Sequence, residues 1–213
     1  MKNNAIIFGD SYSTFKDYIP EAYAAYYSEE RRPETDVTKV EQTWWYQVVQ
    51  AVKLNLVLNN SWSGSTIGYT GYNNTDCSRS SSFIYRLKQL IENGFFVENQ
   101  IDTVFVFGGT NDSWADVLLG EAKYSDWEEK ELFSVLPAVC YFLNLLRQTL
   151  PQAEIYCLIN TEIKPEIASC MKDACAKYNI VPIAFSKIDK KCGHPTIQGM
   201  NDMKEYVLSV LNR

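Results

Sequence analysis

Five short runs of apolar, strand-forming residues punctuate the chain: AIIF at 5–8, LNLVL at 54–58, TVFVF at 103–107, EIYCLI at 154–159 and IVPIAF at 180–185. Between and after them lie stretches with helical spacing of apolar residues, at 41–52, 81–94, 128–150, 165–179 and 196–212. In SSFIYRLKQLIENG, for example, serines open the segment, Gly94 closes it, and Phe83, Leu87, Leu90 and Ile91 fall on one side. Strands that are apolar throughout need cover on both faces. Alternated with helices and joined by right-handed crossovers, they predict an α/β domain. The expected architecture is a three-layer α/β/α sandwich around a five-stranded parallel sheet. Pro137 lies inside the 128–150 segment and is expected to kink or break it. With no repeat, linker or low-complexity tract in sight, residues 1–213 read as a single domain.

Composition narrows the function. The apolar share of 46% over 213 residues suffices for a core without staples. The net charge is −6 and no Lys/Arg run occurs, which argues against a nucleic-acid or anionic-membrane surface. No stretch is long and apolar enough to span a bilayer or serve as an export signal. The six cysteines (77, 140, 157, 170, 175 and 192) include no C-x-x-C pair, and a single histidine cannot complete the usual Cys/His zinc set. They are read as reduced core thiols of a cytoplasmic protein that needs no metal and no cofactor. A nucleotide or flavin site is disfavoured because neither G-x-G-x-x-G nor a P-loop follows the first strand.

Three long loops, at 12–40, 60–80 and 108–127, leave the carboxyl ends of the first three strands, where open α/β sheets bind ligands. Gly9-Asp10-Ser11 follows the first strand, Gly64 the second and Asn111 the third. His194 follows the fifth, between Gly193 and Pro195. Each alone reads as turn chemistry. Together they are complementary. A serine hydroxyl needs a base to become a nucleophile, and the chain holds one imidazole. The tetrahedral intermediate needs donors, and the N–H groups of Ser11 and Gly64 with the Asn111 amide supply three. Asp10 and Asp112, beside these positions, are read as turn-stabilising.

The blocks FGDSYS, SWSGS, GGTND and GHP, spread from residue 8 to 195, resemble those of the SGNH (GDSL-type) hydrolase superfamily. The resemblance implies a flavodoxin-like fold, Ser11 as nucleophile, His194 as base, and Gly64 and Asn111 as oxyanion donors. The superfamily commonly has an Asp three residues before the His. Here that position is Lys191, and the nearest upstream carboxylate is Asp189. Asp189 is expected to orient the imidazole; the rival is a Ser–His dyad whose Nδ1–H bonds a backbone carbonyl. Trp62 and Trp114 stand beside oxyanion residues and Trp44 opens a helix fed by the first loop, so these three are expected to bind substrate, with core packing as the alternative. The expected activity is a serine esterase removing a short acyl group, best an acetyl, from a small molecule or glycan. The alternatives are a weak or inactive carbohydrate-binding relative and a hydrolase of lipid or thioester substrates.

Overall fold

The structure, a computed structural model, describes residues 3–211. Five strands form one all-parallel sheet: β1 (Asn4–Gly9), β2 (Asn55–Ser61), β3 (Thr103–Phe107), β4 (Glu154–Ile159) and β5 (Val181–Ala184), in the order β2-β1-β3-β4-β5. The expected three-layer α/β/α sandwich is borne out.

Period-two alternation along the strands splits the interior into two cores. Ile6, Phe8, Val104, Val106, Ile155 and Cys157 point to one face. There they meet α2 (Phe83–Glu92), α5 (Val135–Thr149) and α6 (Pro165–Lys177). Ile7, Phe105, Phe107, Leu158 and Ile183 point to the other, against α1 (Trp44–Ala51) and α7 (Ile197–Leu211). Each such buried side chain contributes roughly 1.5–3 kcal/mol of hydrophobic stabilisation. Two short helices complete the set, α3 (Phe95–Glu98) and α4 (Thr110–Trp114).

Helix ends follow local chemistry. Thr43 caps α1 by accepting from the Tyr46 N–H at 3.4 Å, and Ser82 caps α2 through the Tyr85 N–H at 3.2 Å. The 128–150 segment does break, but ahead of the proline. A 3₁₀ turn (Glu129–Phe133) precedes α5, and Pro137 lies in the first turn of α5, where its missing N–H costs no helical hydrogen bond. Of the six cysteines, five are buried as expected, while Cys192 is exposed.

Trp44 is not a substrate-facing residue. It and Trp45 are 0% and 2% exposed. The Trp44 ring meets Phe105 and Phe107 edge-on at 5.9 and 6.1 Å, and its Nε1–H donates to Ser13 Oγ at 3.3 Å. Both indoles belong to the apolar cluster on this face of the sheet and serve the core.

From β1 the chain moves outward to β2, then returns across β1 to build β3, β4 and β5 in the other direction. The reversal opens a crevice at the carboxyl ends of β1 and β3. A last detail brings the carboxyl-terminal half to that crevice. β6 (Lys190–Lys191) and β7 (His194–Pro195) form a two-residue hairpin just before α7. Its central residues, Cys192 and Gly193, have φ of +49° and +78°, the signature of a type I′ turn.

Candidate active site

Ser11 follows β1 at the head of a 3₁₀ turn (Ser11–Ser13). Asp10 caps that turn, its Oδ1 accepting from the Tyr12 N–H at 3.0 Å, and the Asp10 N–H donates across to the Phe107 carbonyl of β3 at 3.2 Å. Asp10 is completely buried and its Oδ2 has no hydrogen-bond partner. Burial pushes its pKa up to about 7, against the lowering effect of the Tyr12 amide.

The type I′ turn aims His194 at Ser11. The imidazole Nε2 lies 3.0 Å from Ser11 Oγ, and Nδ1 lies 3.2 Å from the Cys192 carbonyl oxygen. A carbonyl can only accept, so Nδ1 carries the proton and Nε2 is free to accept from the serine hydroxyl. The ring sits below its ordinary pKa, first through burial and then through the charges of Arg32 and Lys190, with the Cys192 carbonyl opposing. The depressed pKa favours the neutral ring, the form that could take a proton from a serine hydroxyl.

The expected carboxylate does not reach the ring. Asp189 is exposed, and its Oδ2 accepts from the Thr196 hydroxyl, while the Thr196 N–H donates to the Asp189 carbonyl at 3.1 Å. Hairpin register explains this. Lys191 pairs with His194 and Lys190 with Pro195, so Asp189 falls opposite Thr196, two positions along the hairpin from the residue that faces the imidazole, and its carboxylate is taken by the Thr196 hydroxyl.

Two more loops supply donors. Gly64 has φ of +81°, a left-handed turn that glycine adopts without strain. Among the described residues, the N–H groups of Ser11 and Gly64 donate to no protein acceptor. Asn111, in α4, donates one amide hydrogen to the Ser65 carbonyl at 2.9 Å and accepts from the Tyr72 hydroxyl at 2.9 Å, which leaves its other hydrogen free. Asp112 ties the same loops together, accepting from the N–H groups of Ile67 at 3.0 and 3.1 Å and Gly68 at 3.4 Å. Burial raises its pKa to about 6, and those amides hold it down from going higher. Both aspartates are spent on backbone geometry.

Several residues that shape the site were not singled out in the sequence. Arg86, on the sheet-facing side of α2, is 1% exposed. Its guanidinium donates to the carbonyls of Ser81, Asn60 and Gly9, to Asn60 Oδ1 and to Ser65 Oγ. It thus gathers the ends of β1 and β2 and the Gly64 loop around one buried cation. Burial pulls its pKa down to about 10, so it stays charged at neutral pH. The available signal was an arginine three residues after Phe83, on an otherwise apolar stripe. Tyr12 and Tyr27 donate their hydroxyls to the Gly193 and Pro195 carbonyls, on either side of His194. Tyr26 stacks on the imidazole. The tyrosine-rich run of the first long loop announced aromatic mass but not its target.

Trp114 is 41% exposed and presents its edge to His194 at 5.7 Å. Trp62 is half-buried and stacks on Tyr23 at 4.3 Å, and Tyr23 also lines a groove of about 430 Å³ with Lys16, Asp17, Ile19, Pro20 and Glu21. Among the described residues, no three His, Cys, Asp or Glu side chains converge as a metal site would need, and no helix is long and apolar enough to cross a membrane.

Residues 3–211 match the family model for GDSL-like lipase/acylhydrolase. Two crystal structures of candidate GDSL-like lipases superpose closely. The protein from Bacteroides ovatus ATCC 8483 is 39% identical with a TM-score of 0.91, covering 100% of this chain and 99% of that one. The protein from Bacteroides uniformis ATCC 8492 is 40% identical with a TM-score of 0.91, covering 99% and 96%. At 15% identity the acetyl xylan esterase Est2A of the rumen bacterium Butyrivibrio proteoclasticus shares the fold, with a TM-score of 0.59 over 99% of this chain and 63% of that one. No curated protein matches.

Proposed function

Because the chain belongs to the GDSL-like lipase/acylhydrolase family, we propose that it is a serine esterase working through a Ser11–His194 dyad and an acyl-enzyme. The observation that carries the reading is the 3.0 Å contact between Ser11 Oγ and the unprotonated Nε2. Ser11 Oγ attacks the ester carbonyl carbon as its proton passes to Nε2. The carbonyl electrons move onto oxygen, which the N–H groups of Ser11 and Gly64 and the free Asn111 hydrogen receive. Collapse expels the alcohol, which takes the proton from Nε2. Water then attacks the acyl-enzyme by the same route and releases the acid. The Cys192 carbonyl does the tautomer-fixing half of a triad carboxylate's task.

We infer that the acyl group is short, best an acetyl, and that the alcohol is a carbohydrate. Trp114 beside the base, the Trp62–Tyr23 stack beside Gly64 and the polar groove next to it support this, because sugar rings pack on aromatic faces and their hydroxyls need polar partners. The test is turnover of a chromogenic acetyl ester by wild type, Ser11→Ala and His194→Ala, with fluorophosphonate labelling mapped by mass spectrometry. Loss in both variants and a label on Ser11 are expected; wild-type rates in both would end the proposal. A second reading, a carbohydrate-binding relative with weak turnover, draws on the absence of a carboxylate hydrogen bond to His194. Rapid labelling of Ser11 excludes it.

A further inference from the structure

The dyad leaves one task unassigned. Once Nε2 takes the serine proton the ring is a cation, half-buried, with no carboxylate hydrogen-bonded to it. The groups that face it are Ser11, Tyr12, Tyr26, Tyr27, Cys192 and Trp114, with Arg32 and Lys190 adding charge of the same sign. Only Tyr26 lies flat on it. The two ring centroids are 3.6 Å apart and the planes 6° from parallel, whereas Tyr12, Trp114 and Tyr27 meet it tilted or edge-on at 5.4, 5.7 and 6.5 Å.

We propose that Tyr26 is a positioning residue for the base, its π face supplying the imidazolium stabilisation that a carboxylate supplies in a triad. The proposal rests on His194 being the base. Tyr26 is held in place from both sides of its backbone. Its N–H donates to Thr14 Oγ1 at 2.9 Å, and the Thr14 hydroxyl donates to the Ser11 carbonyl at 3.0 Å, so the turn that carries the nucleophile also carries the stacking ring. Its carbonyl accepts from the Arg32 guanidinium, whose central carbon lies 5.0 Å from the Tyr26 ring centre. The neighbouring residue, Tyr27, anchors the same segment to the Pro195 carbonyl at 3.0 Å. An aromatic face attracts a cation through its quadrupole. The stack also excludes water, which acts in the opposite direction, against the charged form. The two effects differ in sign and can be separated.

His194 is the chain's sole histidine, so a tag-free protein gives one imidazole Cε1–H resonance whose titration needs no assignment. The experiment is that titration by NMR in wild type, Tyr26→Phe, Tyr26→Trp and Tyr26→Leu, with kcat and KM on an acetyl ester measured alongside. Leucine keeps apolar cover and removes the π face. Its midpoint is expected about half to one pH unit below wild type, with kcat down about 3- to 10-fold and KM within about twofold. Phenylalanine is expected to match wild type, and tryptophan to match or exceed it. A leucine midpoint at or above wild type would make the ring a mere water shield and overturn the proposal. So would a phenylalanine midpoint as low as leucine's, or a tryptophan midpoint below wild type should leucine fail to fold. The midpoint is read without turnover, so a protein whose Ser11 neither labels nor hydrolyses fails the esterase reading while the titration still decides the role of the ring.

Discussion

Replacing Arg86 with methionine tests whether one buried cation holds the site's loops together. Methionine keeps much of the apolar stem and removes the guanidinium, and with it five hydrogen bonds: to the carbonyls of Ser81, Asn60 and Gly9, to Asn60 Oδ1 and to Ser65 Oγ. A net loss of about 1 kcal/mol per bond gives roughly 5 kcal/mol. Two acceptor groups keep other partners: the Gly9 carbonyl still takes the Trp62 N–H at 3.0 Å, and the Ser65 hydroxyl still donates to the Trp62 carbonyl at 2.7 Å. Removing a desolvated charge also returns some energy, so about 3–4 kcal/mol is the working figure. For a chain of this length each kcal/mol moves Tm by about 2–4 °C, so Tm should fall by roughly 10 °C in far-UV circular dichroism melts. Chemistry should suffer separately. The Gly9 carbonyl precedes the nucleophile's turn, and Ser65 adjoins Gly64 and accepts from Asn111. Slippage of about 1 Å at such a point costs on the order of 100-fold, so fluorophosphonate labelling, measured where both proteins are fully folded, should slow by at least about tenfold. Lysine cannot reproduce the fork and should rescue only part of either loss. A Tm within about 2 °C of wild type together with an unchanged labelling rate would refute the reasoning.

Three further outcomes follow from the surroundings of His194. His194 is held below its ordinary value of 6.5, so its imidazole resonance should titrate with a midpoint below 6.5, apart from Asp10 near 7, and kcat/KM should rise with pH through that midpoint; an imidazole midpoint at or above 6.5 contradicts the assigned environment. The same depression means that the unfolded chain binds that proton more readily, so this group's contribution to stability is present above pH 6.5 and is lost as pH falls through the folded midpoint. Asp189→Ala should leave kcat within about threefold, with a modest drop in Tm from the lost Thr196 contact, whereas loss of a triad carboxylate's function costs on the order of 10⁴. A collapse of kcat with intact circular dichroism would restore Asp189 to the triad.

The sheet was legible because each strand is built on a short apolar, strand-forming run, and the residues just past those runs share one rim. Proximity in sequence was a poorer guide within the last loop. Asp189 lies five positions before the histidine, yet antiparallel pairing of Lys190 with Pro195 carries it to Thr196. The turn that imposes this register, Cys192-Gly193, lacks the Asn-Gly or Asp-Gly pair that usually announces a type I′ hairpin. Trp44 and Trp45 were ambiguous for a different reason. An indole at the start of a helix fits the core and a ligand surface equally well on paper, and only the packing of Trp44 against Phe105 and Phe107 decides. Tyr12 and Tyr27 act through backbone carbonyls of a distant loop, and Arg86 largely through carbonyls, partners that carry no residue-type signal.

The bond between Ser11 and His194 spans 183 positions of chain. As the polypeptide leaves the ribosome, the alcohol therefore emerges long before the ring proposed to activate it. On the proposed chemistry, a nascent chain stays silent toward esters until the β6–β7 hairpin docks. Transient undocking of that same segment in the mature protein would switch reactivity off while the sheet remains intact.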